Sequence, residues 1–166
     1  MDTIECINSK RSIRAYEETQ IPYETVMELL TLGTKASTGS NHQPWGFVVI
    51  QDAREIEDLS KNIKAYLLEN LEKYPYLSQY EAWLQSEKYS IFNNASTLIV
   101  VYGNTDSHWY IYDCTLAAGN IMLAAYSKGI GTCWIGFAEY YFNTPEFKKK
   151  YKIPENYELV APLSCG

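Results

Sequence analysis

The sequence predicts a single domain over residues 1–166 with an α+β or α/β sandwich fold. Short apolar runs rich in β-branched residues, such as Phe47–Ile50 and Thr97–Tyr102, alternate with longer segments whose apolar residues recur at helical spacing. No internal repeat and no Pro-, Gly- or Ser-rich linker divides the chain. The length of 166 residues suits one domain and is sufficient to bury a core.

Residues that favour the ends of helices predict where several helices begin and end. Pro22 stands where proline favours the first turn of a helix, Asp52 is a capping residue ahead of an apolar stripe, and Gly129 ends a long helix. The predicted helices are Thr3–Ser9, one from Pro22, one from Asp52, most of Lys64–Ile91 with an interruption near Pro75, Trp109–Lys128, and Thr144–Tyr151. The helix Trp109–Lys128 is rich in Ala and Gly, which suits either the centre of the domain or a subunit interface.

Four segments are predicted to form strands because they are apolar and favour β structure. They are Phe47–Ile50, Thr97–Tyr102, Gly131–Phe137 and Tyr157–Leu163.

Composition excludes several functional classes. The formal net charge of -6 argues against a nucleic-acid partner. The four cysteines are widely spaced and have no CxxC pattern or nearby histidine, so no metal site is predicted. No secretory signal and no apolar run long enough to cross a bilayer occurs, which predicts a cytoplasmic protein without a membrane partner.

The familiar catalytic and nucleotide-binding motifs are missing. The chain has no G-x-G-x-x-G, G-x-x-x-x-G-K-[ST], G-x-S-x-G or H-E-x-x-H segment. His42 and His108 are the only histidines, and nothing in their spacing supports a nucleophilic triad. No catalytic side chain is therefore assigned, and an enzyme built on this sequence would take its chemistry from a cofactor.

The segment Lys10–Arg14, with the sequence Lys-Arg-Ser-Ile-Arg, is the main candidate for ligand binding. It places three cations and a hydroxyl within five residues of an acidic chain. Arg and Ser both donate hydrogen bonds to phosphate oxygens, so the segment suits an anionic group. Short basic runs are also commonly solvated surface.

Several segments together resemble the FMN-dependent nitroreductase family. They are Lys10–Arg14, the loop Ser37–Trp45, Asp113 with Asn120, the small-residue helix through Ala124 and Ala125 to Gly129, and Thr132–Gly136. The resemblance covers nearly the whole chain in matching order and spacing. It implies a mostly antiparallel central sheet flanked by helices, in an interlocked homodimer with FMN bound at the subunit interface.

The resemblance also implies roles for the basic segment. Lys10, Arg11 and Ser12 would hold the FMN phosphate, and Arg14 would lie near flavin N1 and O2, where its charge stabilises the reduced, anionic ring. The alternative for Arg14 is a surface salt bridge with Glu17 or Glu18.

The loop matches the family segment that reaches the flavin of the other subunit. Its cofactor-binding candidates are Ser37, Thr38, Gly39, Ser40, Asn41 and Gln43. The alternatives are a plain connection between helix and strand and, for Gln43, a role in fixing the loop. Ile135 and Gly136 match the position where the family offers backbone groups to the N5 edge of the flavin. Trp134 suits either the core or the pocket wall, while Asp113 and Asn120 are interpreted as structural.

The family resemblance implies an FMN-dependent NAD(P)H oxidoreductase. Hydride would pass from NADH or NADPH through flavin N5 to a nitroaromatic, a quinone or a similar conjugated small molecule. The alternatives are a non-catalytic flavin-binding protein and a different flavin chemistry on the same fold. The tyrosine-rich segment Lys64–Ile91 either tunes the acceptor or serves packing and dimer contacts.

Two departures from the family pattern affect the phosphate site. Lys10 stands where the family commonly has Arg. An arginine can make a bidentate contact with phosphate, whereas the lysine ammonium group acts as a point charge. The family also often places an Arg or Lys pair beyond the final strand, and this sequence ends at Gly166, before such a pair. The resemblance then implies either a shortened member or a weaker hold on FMN.

Overall fold

The computed structural model describes residues 1–166 and contains seven α-helices and four β-strands. The helices are α1 (Thr3–Ser9), α2 (Tyr23–Gly33), α3 (Ala53–Glu69), α4 (Glu81–Gln85), α5 (Tyr110–Ser127), α6 (Glu139–Phe142) and α7 (Pro145–Lys150). The strands are β1 (Trp45–Ile50), β2 (Thr97–Asn104), β3 (Thr132–Trp134) and β4 (Tyr157–Cys165). Short 3₁₀ turns lie at Gly39–Asn41, Pro75–Tyr80 and Gly136–Ala138.

The strands form one antiparallel sheet in the order β1-β2-β4-β3. In β1 and β2, Val48 faces Val100, and in β2 and β4, Ile99 faces Leu163. The sheet with helices on both faces confirms the predicted α+β class and its antiparallel strands.

Two apolar cores lie on the two faces of the sheet because successive side chains of a strand point to opposite sides. Val100 and Tyr102 of β2 pack with α3, α4, α6 and α7, whereas Ile99 and Val101 pack with α2 and α5. Helices α2 and α5 approach closely at Gly33, where a Cβ atom would lie 2.8 Å from Ile121 Cγ1.

Most helix predictions are confirmed. Asp52 caps α3 by accepting a hydrogen bond from Glu55 N, and Thr144 caps α7 in the same way from Phe147 N. Helix α5 begins and ends one residue inside the predicted bounds, and Gly129 follows it with a φ of 78°. None of the helices combines the length and apolar character needed to cross a membrane.

The prediction that Lys64–Ile91 is mostly helical with an interruption near Pro75 is confirmed, except that the helical part ends at Gln85. Helix α3 ends at Glu69, and only the 3₁₀ turn Pro75–Tyr80 and the short α4 follow it before the chain leaves helical geometry at Ser86. The Lys64 ammonium group donates hydrogen bonds to the carbonyl oxygens of Ser86 and Tyr89, both at 2.8 Å. These bonds satisfy carbonyls that a continuing helix would have paired internally.

The predicted strand Gly131–Phe137 is too long, because β3 covers only Thr132–Trp134. Trp134 pairs with Leu163 of β4. The residue after it, Ile135, donates through its N–H to the carbonyl oxygen of Pro162, which precedes Leu163 in β4. Pro162 has no N–H to return that bond, so the ladder stops there. The chain then turns at Gly136, which places residues 135–139 at the edge of a cavity.

Candidate functional site

The basic segment Lys10–Arg14 crosses the end of β3. Ile13 N donates a 3.0 Å hydrogen bond to the carbonyl oxygen of Thr132, and Ser12 forms a parallel bridge with the same residue. Ile13 also packs on Gly131, where a Cβ atom would lie 2.8 Å from the Ile13 side chain. The segment is therefore held against the sheet rather than lying loosely on the surface.

Tyr16 fixes the far end of this segment. Its hydroxyl lies 2.7 Å from the Ile13 carbonyl oxygen and 2.9 Å from Ser164 Oγ. Burial raises the pKa of Tyr16 well above the ordinary tyrosine value, so the hydroxyl keeps its proton and can donate. Arg14 thus projects from a backbone anchored on both sides.

The three cations of the segment have no carboxylate partner. Lys10 Nζ lies 3.8 Å from Met122 Sδ, and Arg11 donates to the carbonyl oxygens of Asn8 and Lys10 at 2.8 Å. Arg14 forms no ion pair, so the alternative of a salt bridge with Glu17 or Glu18 is not realised. The ion pairs of the chain use Lys61, Lys128 and Lys150.

Arg14 lies on the wall of a cavity of about 790 Å³ that also includes Ile135 and Gly136. Gly136 is exposed, and a Cβ atom built there would meet nothing within 4 Å. The backbone at Gly136 is consequently open to a ligand. The structure brings these three candidates together, although they lie far apart in the sequence.

Aromatic side chains form most of the remaining cavity wall. Tyr80 and Phe137 meet edge to face with ring centroids 5.3 Å apart, and Tyr80 and Trp83 lie 5.8 Å apart. The aromatic residues that line the cavity are Tyr76, Tyr80, Trp83, Tyr89, Trp134 and Phe137. A flat conjugated ligand is the natural occupant of such a slot.

The tyrosine-rich segment therefore contributes to the site as well as to packing. Trp134, left open between core and pocket wall, is a wall residue with 37% of its surface exposed. Phe137 and Glu139 were not singled out from the sequence. Tyr76, Tyr80 and Trp83 follow the i, i+4, i+7 spacing of one helical face, which was an available signal that they act together.

The loop Ser37–Gln43 is held at the start of α5. Gly39 N donates to both carboxylate oxygens of buried Asp113 at 3.2 Å, which supports a structural role for that aspartate. The Trp109 ring lies against Gly39, where no side chain would fit because a Cβ atom would be 2.4 Å from Trp109 Cδ1. Ser40, Asn41 and Gln43 all have positive φ angles, between 47° and 56°.

The polar groups of this loop remain accessible. Gln43 Nε2 donates to Asn41 Oδ1 at 3.1 Å, which favours a role for Gln43 in fixing the loop. Gln43 N also lies 3.4 Å from Thr38 Oγ1. Ser37, Ser40, Asn41 and Gln43 are exposed, whereas Thr38 and Gly39 are half-buried.

One chain does not bring this loop and the basic segment together. The loop is attached to α5 at Asp113, and Lys10 contacts the same helix at Met122. These two positions are nine residues apart in the helix, which is about 14 Å along its axis. Asn120, between them, reaches the Leu32 carbonyl oxygen at 3.5 Å and links α5 to α2.

A second cavity, of about 700 Å³, lies behind the basic segment near Tyr16 and Gly131. Its only lysine, Lys128, is paired with Glu28 at 2.9 Å. It contains neither an unpaired cation nor an aromatic slot, so the Arg14 cavity is the better candidate.

The fold and the site define an α+β protein whose antiparallel sheet carries an anchored basic segment beside an aromatic cavity. The family model described as "Nitroreductase family" matches residues 7–166. This chain belongs to the nitroreductase family.

Individual relatives agree with this assignment. The crystal structure of a nitroreductase with bound FMN from Bacteroides fragilis superposes with a TM-score of 0.85 at 29% identity, covering 98% of this chain and 86% of that one. An FMN-dependent nitroreductase from Clostridium difficile gives a TM-score of 0.83 at 25% identity, with coverage of 99% and 89%. A protein of Methanothermobacter thermautotrophicus, provisionally named NADH dehydrogenase/NAD(P)H nitroreductase, is 28% identical over 99% of this chain and 74% of the relative.

Proposed function

We propose that this protein is an FMN-dependent NAD(P)H oxidoreductase that reduces a nitroaromatic, quinone or similar conjugated small molecule. The observation that carries the proposal is the unpaired guanidinium of Arg14 beside the open backbone of Gly136, inside an aromatic cavity. The FMN named for the relatives from B. fragilis and C. difficile supports the choice of cofactor.

The groups present in the structure fit FMN. Lys10, Arg11 and Arg14 offer three cations without carboxylate partners, as an anionic ligand requires. Beside Ser12, the buried hydroxyl of Thr132 has no hydrogen-bond partner within the chain. Lys10, Arg11 and Ser12 would hold the phosphate, and Arg14 the pyrimidine end of the ring.

FMN, when bound, supplies two-electron chemistry: it accepts hydride from NADH or NADPH and passes the electrons to the acceptor. The protein holds and surrounds the ring. The charge of Arg14 stabilises negative charge at the pyrimidine end, because a fixed cation needs no reorganisation there. The backbone of Ile135 and Gly136 would border the reactive edge, and the aromatic walls would exclude water and align flat ligands.

A homodimer is part of the proposal. The loop Ser37–Gln43 would complete the site of the other subunit, since it lies too far from Lys10 to serve its own. Helix α5 exposes apolar side chains that a monomer would leave in water, including Tyr112 and Leu116, which are 64% and 52% exposed.

Purification with added FMN and a visible absorption spectrum test the proposal. We expect flavin absorbance that bleaches on anaerobic addition of NADH or NADPH and returns with a nitroaromatic or a quinone. Absence of bound flavin would overturn the proposal.

Two other outcomes would identify the alternative functions. Bound FMN without steady-state NAD(P)H oxidation by any acceptor would indicate a non-catalytic flavin-binding protein. Bound FMN that neither nicotinamide reduces would indicate a different flavin chemistry.

A further inference from the structure

The two charged residues that line the Arg14 cavity have opposite signs and lie near different aromatic residues. They are Arg14 and Glu139, and neither forms an ion pair within the chain. Burial raises the pKa of Tyr89, and the positive charge of Arg14 opposes that rise. Burial, the hydrogen bond between the Tyr76 and Tyr140 hydroxyls and the negative charge of Glu139 all raise the pKa of Tyr76. The geometry also places Glu139 near Tyr76, because the Tyr76 hydroxyl lies 3.1 Å from that of Tyr140, the residue that follows Glu139.

The part of the cavity at Glu139 combines a carboxylate with aromatic rings. Glu139 is exposed and accepts no hydrogen bond from the chain, so its charge is available to a ligand. Tyr76, Tyr80 and Trp83 line the same cavity, and Trp83 is 57% exposed. Aromatic faces carry negative electrostatic potential and attract cations, and a nearby carboxylate reinforces this.

Neighbouring contacts hold Glu139 in place. Tyr140, next to Glu139, stacks on Tyr74 with ring centroids 3.7 Å apart. Its hydroxyl lies 3.1 Å from that of Tyr76. The carboxylate thus lies at the start of α6, which is linked to the aromatic segment, rather than on a free loop.

We propose that Glu139 and its aromatic neighbours select electron acceptors that carry a cationic amine, and disfavour acceptors that carry a carboxylate. Arg14 would be occupied by the flavin, which leaves Glu139 as the charge that meets the acceptor. This inference rests on the proposed function for its reductive role, but the charge preference is a property of binding alone.

Binding to the FMN-loaded protein in the absence of NAD(P)H tests the preference directly. The probes are para-nitrobenzylammonium, para-nitrobenzyl alcohol and para-nitrobenzoate, which share the nitrophenyl ring and differ in charge. Isothermal titration calorimetry should show the ammonium compound binding most tightly and the benzoate most weakly. The differences in affinity among the three probes should become smaller at high salt, because salt screens interactions between exposed charges.

Charge-changing variants assign the preference to Glu139. Glu139→Gln should reduce the affinity ratio of ammonium to benzoate about three- to fivefold, the size expected for one exposed ion pair. Glu139→Lys should invert the order. Glu146→Gln is the matched control, since it removes the same charge from an exposed residue that does not line the cavity. Trp83→Leu should weaken binding of the ammonium compound more than that of the benzoate.

The outcomes separate this inference from the proposed function. Equal affinities for the three probes, or equal effects of Glu139→Gln and Glu146→Gln, would overturn the charge preference even if the flavin is reduced normally by NAD(P)H. A protein that shows the preference but whose flavin is not reduced would refute the proposed function and retain the binding site.

Discussion

Arg14 carries a positive charge that no carboxylate of this acidic chain neutralises. Its backbone is fixed by Ile13, which bonds to Thr132, and by the Tyr16 hydroxyl. A side chain that remains exposed and unpaired while its backbone is anchored is preorganised for a ligand. Because folding has already fixed this backbone, binding of an anionic group loses little further conformational entropy.

Arg14→Ala tests this role. We expect anaerobic flavin reduction by NADH or NADPH to slow at least tenfold, corresponding to about 1.4 kcal/mol of lost transition-state stabilisation. The thermal unfolding midpoint should barely move, because Arg14 makes no contact that the fold requires. Stopped-flow absorbance and circular dichroism measure the two quantities.

Arg54→Ala is the matched control for this prediction, since Arg54 is an exposed arginine of α3 outside the cavity. Equal rates of flavin reduction in the two variants would contradict the role of Arg14.

Gly131→Ala tests how closely the basic segment packs against the chain at Gly131. The new methyl group would lie 2.8 Å from Ile13, and Gly131 is also bonded to Gly166 through both backbone groups, so neither strand can withdraw easily. We expect a loss of about 1–3 kcal/mol in the free energy of unfolding, typical of an overpacked site, and a raised Kd for FMN. Urea titration and fluorescence titration measure these effects.

A double variant identifies the cause. Ile13→Ala in the Gly131→Ala background removes Cγ1 and Cγ2, two of the three Ile13 atoms closest to the new methyl group, so the two substitutions together should cost less than the sum of the single costs. Strict additivity would show that these two atoms of Ile13 are not the obstacle.

At the scale of elements, the aromatic wall depends on contacts that fasten irregular backbone to regular helices. Lys64 and Ser60 of α3 bond to the chain at residues 86–91, and Ser60 Oγ accepts from Ile91 N at 2.9 Å. On the same helix, Glu55 joins α3 to the region of α7. Helix α3 therefore holds both residues 86–91 and the region of α7 in place.

Glu55→Gln tests the link to α7. Glu55 accepts a 2.6 Å hydrogen bond from the Tyr151 hydroxyl and pairs with Lys150 at 2.9 Å. The hydrogen bond from Lys150, and then that from Tyr151, lower the pKa of Glu55 in the folded protein. A lowered pKa means that the stabilisation is present above the unfolded pKa and is lost as the pH falls through the folded pKa.

We therefore expect Glu55→Gln to reduce the free energy of unfolding by about 0.5–1 kcal/mol at neutral pH, because the pair is partly exposed and screened. The difference from the unmodified protein should vanish in acid below the lowered pKa. Urea titrations across this pH range measure it. Glu69→Gln, on the exposed end of the same helix, provides the comparison. A difference that persists unchanged in acid would show that the carboxylate charge is not responsible.

At the scale of the whole molecule, the two candidate ligand-binding segments lie at different ends of α5. One face of this helix packs on the sheet through Cys114, Ala118 and Ile121, and the opposite face exposes Tyr112 and Leu116. An association through the exposed face would bury apolar surface and bring a loop from one subunit towards the basic segment of another.

Leu116→Glu tests the dimer. Glutamate is well tolerated in an exposed helix, so the fold should be retained, while a charge buried at an interface should dissociate the subunits. Sedimentation velocity should show a dimer for the unmodified protein and a monomer for the variant, together with weakened FMN binding. Gln79→Glu adds the same charge at an exposed polar position as a control. An unmodified protein that is monomeric when saturated with FMN would contradict the dimer.

Much of the fold could be predicted because its signals are local. Asp52, Thr144 and Gly129 mark helix ends through groups within a few residues of themselves, and β2 is recognisable from its unbroken apolar run. Two boundaries were predicted too late in the chain, the end of β3 and the end of the helical part of Lys64–Ile91. Both depend on residues far away in the sequence. Pro162 of β4 ends β3 from across the sheet, and Lys64 supports the non-helical chain at Ser86.

The sequence by itself determined the order of elements, the antiparallel α+β class through its family resemblance, and the basic segment as the candidate anion site. The order of elements and the basic segment follow from spacing and composition along the chain, whereas the antiparallel sheet is what the resemblance implies. Only the tertiary structure decided that Arg14, Trp83 and Glu139 line one cavity, and that the loop at Gly39 lies elsewhere. The reason is physical: a cavity is formed by residues far apart in sequence, and their convergence depends on how the two apolar cores pack against the sheet.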